Sequence, residues 1–290
     1  MSNPCGVILG EQGGTIRQTR PVAILQISIT VLLIGLMYGQ VLADLAIDWW
    51  NEPAYSQGML IPPLAVYIAW LRRSVTFAHP VSPDNRAMVL AAFACITFLL
   101  GKLAVEFFLM RISFVILLVA LTWTFWGLNR LRTLTFPFLL LATMVPFPAI
   151  FYNSLAAPLQ LFASDISTRL AQALGVSVYR DGNIIQLADT SLGVAEACSG
   201  LNSLSALLVA GLLVGHLLCT RLISQIAVVA MAIPTAIGVN ILRVTGTAVI
   251  ADYNPEFAMG FYHSFSGWLV FLVGFGILYA LARAAHALLD

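Results

Sequence analysis

A thiol at Cys198, a guanidinium at Arg243 and an imidazole at His263 are the side chains of this chain that combine most readily into a reaction. Cys198 stands in ACSGLNSL, Arg243 in GVNILR and His263 in FYHSFSGW, each beside a long apolar run. A cysteine attacks a carbonyl carbon as thiolate, so its pKa must fall towards ambient pH. A neighbouring cation or a helix N-terminus supplies that shift. An imidazole can take the thiol proton and return it to a leaving amine. A guanidinium can hold an oxyanion or clamp a carbonyl or carboxylate. The three together would be a cysteine acyl-transfer site. Taken singly, each has a plainer use: a cysteine packs, an arginine at a helix end snorkels to headgroups, and a histidine beside Tyr and Trp anchors an interface. A shared location would set them apart.

The elements that position them are membrane helices. Of the 290 residues, 60% are hydrophobic and 9% charged, against about 25% charged in soluble domains. The expected fold is an all-α polytopic membrane protein. A net charge of +1 gives no reason to expect a nucleic-acid partner. The four cysteines are too scattered for a disulfide framework or a zinc site. No CxxC, HExxH, GxGxxG or Walker pattern occurs, so neither metal nor cofactor is expected. Eight apolar segments approach the roughly 20 residues a span requires: about 22–43, 57–71, 87–105, 112–128, 134–152, 200–218, 222–242 and 264–282. Residues 1–21 form a tail and 22–290 one transmembrane domain. The first apolar stretch lacks a small-residue cleavage site and reads as a retained helix.

Basic residues set the orientation. With the N-terminus in the cytoplasm, Arg17, Arg20, Arg72, Arg73, Arg86, Arg130, Arg132, Arg221 and Arg283 fall inside. Lys102, Arg111, Arg169, Arg180 and Arg243 are left outside or at the outer edge, and each inner loop holds arginine, as the positive-inside rule expects. Eight spans return the C-terminus to the cytoplasm. Residues 44–56, with Asp44, Asp48, Trp49, Trp50 and Glu52, then form an acidic, aromatic outer loop. In the long outer stretch 153–199, Leu155, Leu159, Phe162, Ile166 and Leu170 recur at three- and four-residue steps, predicting an amphipathic surface helix. The alternating VSVYRDGNIIQL around Asp181-Gly182 predicts a β-hairpin after it.

On this threading Cys198 precedes the sixth span, Arg243 closes the seventh and His263 opens the eighth, all at the outer face. His79, His216, His286 and Cys219 fall inside, Cys95 lies within a span and Cys5 in the tail. Asn240 shares a helix face with Arg243 and Asn202 follows Cys198 by four residues, so both are supporting candidates. Glu196 is a further one, to pair with Arg243 or to cap a helix.

The strings VAEACSGLNSL, IPTAIGVNILRVTGT and FYHSFSGWLVF, with AYSQGMLIPPLAVYIAWLRR and VYRDGNIIQL upstream, resemble the exosortase/archaeosortase family over about residues 50 to 280. The ordered Cys, Arg and His are specific to it. The resemblance implies Cys198 as nucleophile with Arg243 and His263 as catalytic partners. One departure is Gln57, where the family's Tyr-Ser-His-Gly segment would have histidine. The resemblance further implies a cysteine protease/transpeptidase of a Gram-negative inner membrane, its site facing the periplasm. Its partners would be exported proteins with a C-terminal signature such as Pro-Glu-Pro, one transmembrane helix and a basic cluster, alongside membrane lipids. Such systems accompany exopolysaccharide production. The competing expectations are a non-enzymatic carrier, with Arg243 and His263 lining a polar path, and a scaffold for polysaccharide export. A carrier would carry interrupted helices in two related halves, and the proline-bearing spans do not fall that way.

Overall fold

The computed structural model describes residues 20–52, 55–188, 190–193, 201–258 and 262–290. They fall into two compact units, one ending at Ala43 and one running from Asp44 to Asp290. The first holds most of α1 (Arg20–Asn51), whose stretch Ser28–Asn51 is long and apolar enough to cross a membrane.

The second unit opens on the last two turns of α1, where the sequence predicts a loop at 44–56. The helix continues to Asn51 because its polar groups have partners: Asp48 pairs with Arg111, and Trp49 donates its indole N–H to the Met144 carbonyl at 3.2 Å. A 3₁₀ turn, η1 (Ser56–Leu60), leads into α2 (Ile61–Leu71). Pro62 and Pro63 sit in the first turn of α2, where the missing N–H groups would be unpaired anyway. After α3 (Arg73–Ala78), α4 (Ala87–Leu103) and α5 (Phe107–Trp126) form a tight antiparallel hairpin. Gly101 lets it close, since a Cβ there would stand 2.8 Å from the Met110 nitrogen. Glu106 caps α5 by accepting the Leu109 N–H at 3.0 Å. α6 (Leu128–Thr133) follows.

The expected fifth span, 134–152, is not one helix. α7 (Thr135–Ala142) stops, residues 143–148 carry no helix, and α8 (Ala149–Ala173) begins. Pro146 and Pro148 explain the break, because each lacks an N–H and pushes its predecessor out of the helical region. Irregular backbone at membrane depth needs partners within the protein. The Met144 carbonyl has Trp49, and the Leu140 carbonyl accepts from Thr143 Oγ1 at 2.7 Å.

α8 starts earlier than the surface helix predicted from Leu155 and packs on α10 (Leu222–Tyr253). Its buried face is small: Ala156, Ala163, Ser164, Ser167, Thr168 and Ala171. Ser167 donates to the Ile241 carbonyl at 3.2 Å. A three-stranded antiparallel meander follows: β1 (Tyr179–Asp181), β2 (Ile184–Gln186) and β3 (Ser191–Gly193). Asp181 pairs with Ile184, so Gly182 and Asn183 form the two-residue turn, with Gly182 at φ 61 as such a turn asks of its first central residue. The predicted hairpin is present, with a third strand added.

α9 (Leu201–Leu218), α10, the single turn α11 (Pro255–Phe257) and α12 (His263–Leu289) complete the chain. α10 runs ten residues beyond Arg243, past the expected end at 242. At 32 residues it is about 48 Å long, against a hydrocarbon core of about 30 Å. Its last turns bury Val244, Ala248 and Ala251 against Val176, Val178, Ile185 and Leu192, so protein replaces lipid there. The fold is all-α and polytopic with one small sheet. Among the described residues α1, α5, α10 and α12 are long and apolar enough to span, and α4, α9 and η1 with α2 are shorter apolar helices.

The far ends of α10 and α12 are tied by Asp290. Its carboxylate accepts the Thr220 and Arg221 N–H groups at 2.7 and 3.1 Å, the Ser224 hydroxyl at 2.6 Å and the His286 ring at 2.9 Å. The Ser224 and His286 bonds hold the carboxyl well below the usual carboxylate range. A depressed folded-state pKa adds stability above the unfolded-state value and loses it as pH falls through the folded one. Acidification below the ordinary carboxylate range should therefore free the last turn of α12. Protection from hydrogen exchange there, taken against the intrinsic amide rate at each pH, should fall with falling pH, and Asp290→Asn should show low protection already at neutral pH. Equal exchange in both proteins would count against the tie.

Candidate active site

Three helices build the site, and small residues set their spacing. Leu207, Ala232, Ala236, Val239, Val270 and Leu278 form the core between α9, α10 and α12. Gly211 of α9 lies against Val228, Val229 and Ala232 of α10, and Gly215 lies against Gln225 and Val228. α9 and α10 are therefore antiparallel, and following that register upward brings Asn240 level with Leu201. α12 runs parallel to α9, with Gly274 packed on the Leu207 side chain. The first turns of α9 and α12 and the Asn240–Arg243 stretch of α10 thus share one level.

Arg243 occupies that level. It lies 21 residues beyond Leu222, about 32 Å along the axis, which is the far boundary of a hydrocarbon core about 30 Å thick. Its side chain is half-buried, and Nε donates to the buried hydroxyl of Ser266 at 3.2 Å. The guanidinium also lies over Gly267, where a Cβ would be 3.4 Å from Nη2. An alanine Cβ there would touch it at ordinary van der Waals distance. One turn before Arg243, Asn240 is buried within the bundle. Ser266 is a residue the sequence reading missed. Its signal was available: it follows His263 by three residues, the spacing of one helix face.

The other candidates divide as follows. Cys198 and Glu196 lie outside the described residues. His263 is the first residue of α12 and Asn202 lies in the first turn of α9, and the side chains of both are outside the described set. The competing described cysteines are poorly suited to attack. Cys95 is exposed on α4, within an apolar helix. Cys219 is buried, with Sγ directed at the Ala282 carbonyl at 3.7 Å. Burial and the Asp290 carboxylate push its thiol pKa up, away from nucleophilic thiolate.

A second polar contact ties the neighbouring elements to α9. Gln57, in η1, donates from Nε2 to Ser205 Oγ at 2.8 Å. Removing it with Gln57→Ala should cost about 1 kcal/mol, the net worth of one partly buried hydrogen bond. Gln57→His, which keeps a ring donor, should lose less. Thermal unfolding in detergent would rank the two, and equal stability of Gln57→Ala and wild type would dismiss the contact. Beside it, Gly58 lies against Trp49, and a Cβ there would overlap the indole. Gly58→Leu should therefore destabilise by about 1–3 kcal/mol through overpacking.

A family model described as transmembrane exosortase matches residues 49–280. No curated protein and no solved structure matches the chain.

Proposed function

The chain belongs to the transmembrane exosortase family, and from that premise we propose that it is a membrane-embedded cysteine transpeptidase acting on exported proteins. The observation that carries the reading is the placement of Arg243, held by Ser266 at the level where α9 and α12 begin. Cys198 precedes Leu201 by three residues in the sequence and His263 is the first residue of α12, which supports a meeting of the three candidate groups at one end of the bundle. The arginines gathered on one side, read by the positive-inside rule with the N-terminus in the cytoplasm of a Gram-negative cell, support a periplasmic facing for that end.

In the proposed reaction the Cys198 thiolate attacks a peptide carbonyl next to the sorting signature. The sulfur–carbon bond forms, and Arg243 stabilises the negative charge developing on oxygen. The carbon–nitrogen bond then breaks, and His263 as imidazolium gives its proton to the departing amine. The products are a thioester on Cys198 and the freed C-terminal segment. An acceptor amine attacks the thioester and gives its proton to the now neutral His263, the sulfur–carbon bond breaks and the thiolate returns. Asn202, Asn240 and Glu196 would steady these groups. The substrate is an exported protein with a short signature, one transmembrane helix and a basic cluster, a layout that puts its scissile bond at the height of Arg243.

The test is an immunoblot of a tagged protein bearing such a tail, co-expressed with wild type, Cys198→Ala, Arg243→Ala or His263→Ala. Shortening with wild type alone is the expected result. Processing at the wild-type rate by Cys198→Ala would end the reading. Adding a biotinylated amine as acceptor separates the two fates of the thioester, since label on the product marks transfer and its absence marks hydrolysis.

A further inference from the structure

A void lies beside this site among the described residues, and the proposed chemistry does not use it. A cavity of about 400 Å³ opens between η1, α5, the broken 143–147 stretch and α9, and reaches Val229 of α10. Among the described residues no charged side chain lines it. One end is polar, where Gln57 and Ser205 meet; from there the wall descends α9 through Leu208, Val209 and Leu212. The seven residues from Ser205 to Leu212 correspond to about 10 Å of depth.

We propose that this cavity binds one acyl chain of a bilayer phospholipid, with the lipid's polar portion at Gln57 and Ser205. Three physical arguments select that occupant. An apolar void does not hold water and binds apolar groups instead, and a bilayer offers acyl chains as its solvent. Leaving the void empty would forfeit the dispersion contacts of its lining. A single flexible chain fits the volume, and its head meets donors and acceptors where the wall turns polar.

This binding does not depend on the catalytic reading. The test places the full-length protein in nanodiscs of phosphatidylcholine and phosphatidylglycerol containing phosphatidylcholine with a diazirine at the end of one acyl chain. After irradiation and digestion, mass spectrometry maps the adducts. The expected result is enrichment on Leu208–Leu212 of α9 over Ile96, an exposed residue of α4. Leu212→Trp and Val209→Phe, which fill the void, should remove that enrichment while leaving the Ile96 signal. Uniform labelling of Ile96 and the α9 segment in wild type would overturn the proposal, whatever the variants do. A second arm adds a single-span peptide that carries a diazirine on its own leucines. Labelling of Leu208–Leu212 by the peptide, with loss of the lipid adduct, would assign the cavity to a helix and equally overturn it.

Discussion

Cys198→Ala is expected to abolish substrate processing, a loss on the order of 10⁶-fold in rate, as when the nucleophile of a catalytic set that acts as a unit is removed. Cys198→Ser should be nearly as inactive, because a hydroxyl at neutral pH lacks the thiolate population that a cation and a helix N-terminus can promote. Arg243→Ala should be milder, about 10²- to 10³-fold, matching the removal of one oxyanion donor. Arg243→Lys decides between two roles for this residue. Lysine keeps the charge but lacks the planar fork and the Nε donor that Ser266 receives. A purely electrostatic role would leave Arg243→Lys close to wild type, whereas positioning by Ser266 predicts a loss near that of Arg243→Ala. Ser266→Ala should then show part of the same defect. Rates from the tagged-substrate blot, with thermal unfolding to exclude collapse, check the series. A fully active Cys198→Ala would remove the basis for the whole set.

Much of this arrangement was legible in the chain because the relevant signals are local. The Leu201–Leu218 helix, a helix through Leu155–Leu170 and the hairpin turn at Gly182 follow from apolar periodicity and turn chemistry, but Leu155, Phe162 and Leu170 stay exposed while the small residues of α8 are the ones buried. The misjudged places depend on partners distant in sequence. Residues 44–51 read as loop because Asp48 and Trp49 look solvent-bound, yet Arg111 and the Met144 carbonyl satisfy them. The apolar run 134–152 passes as a span, and only the paired prolines at 146 and 148 hint at the break. A hydropathy argument ends the seventh span at the first charge, Arg243. The helix continues because Val244, Ala248 and Ala251 are covered by the sheet. The candidate site was read from the chain as a shared depth, and of its three main residues the described side chains include Arg243 alone. Its Ser266 contact was missed, although Ser266 follows His263 by the three-residue step of one helix face.

Those distant partners carry the largest expected stability effect, at the Arg111–Asp48 pair. The two side chains meet at 2.5 Å, but their surroundings differ: Arg111 retains 7% of its side-chain exposure and Asp48 retains 38%. Arg111 Nε is buried without a hydrogen-bond partner among the described residues, so the guanidinium relies on Asp48 for its compensation. Asp48→Ala would strand a cation that cannot reach water, at a cost of about 3 kcal/mol, the lower end for breaking a buried pair. Arg111→Met removes the buried charge, fills similar volume, and leaves Asp48 able to hydrate. It should cost much less, and the Asp48→Ala/Arg111→Met double variant should resemble Arg111→Met alone. Thermal melts of the four proteins in one detergent give the coupling directly. If Arg111→Met proved the more damaging single change, the buried charge would not be what Asp48 stabilises. The consequence extends beyond the pair, because Trp49 is the next residue of α1. Loosening Asp48 should also free the indole from Met144 and Gly58, two residues of the cavity wall. Asp48→Ala should therefore weaken acyl-chain labelling of α9 as well as lower the melting temperature, and Arg111→Met should largely preserve both.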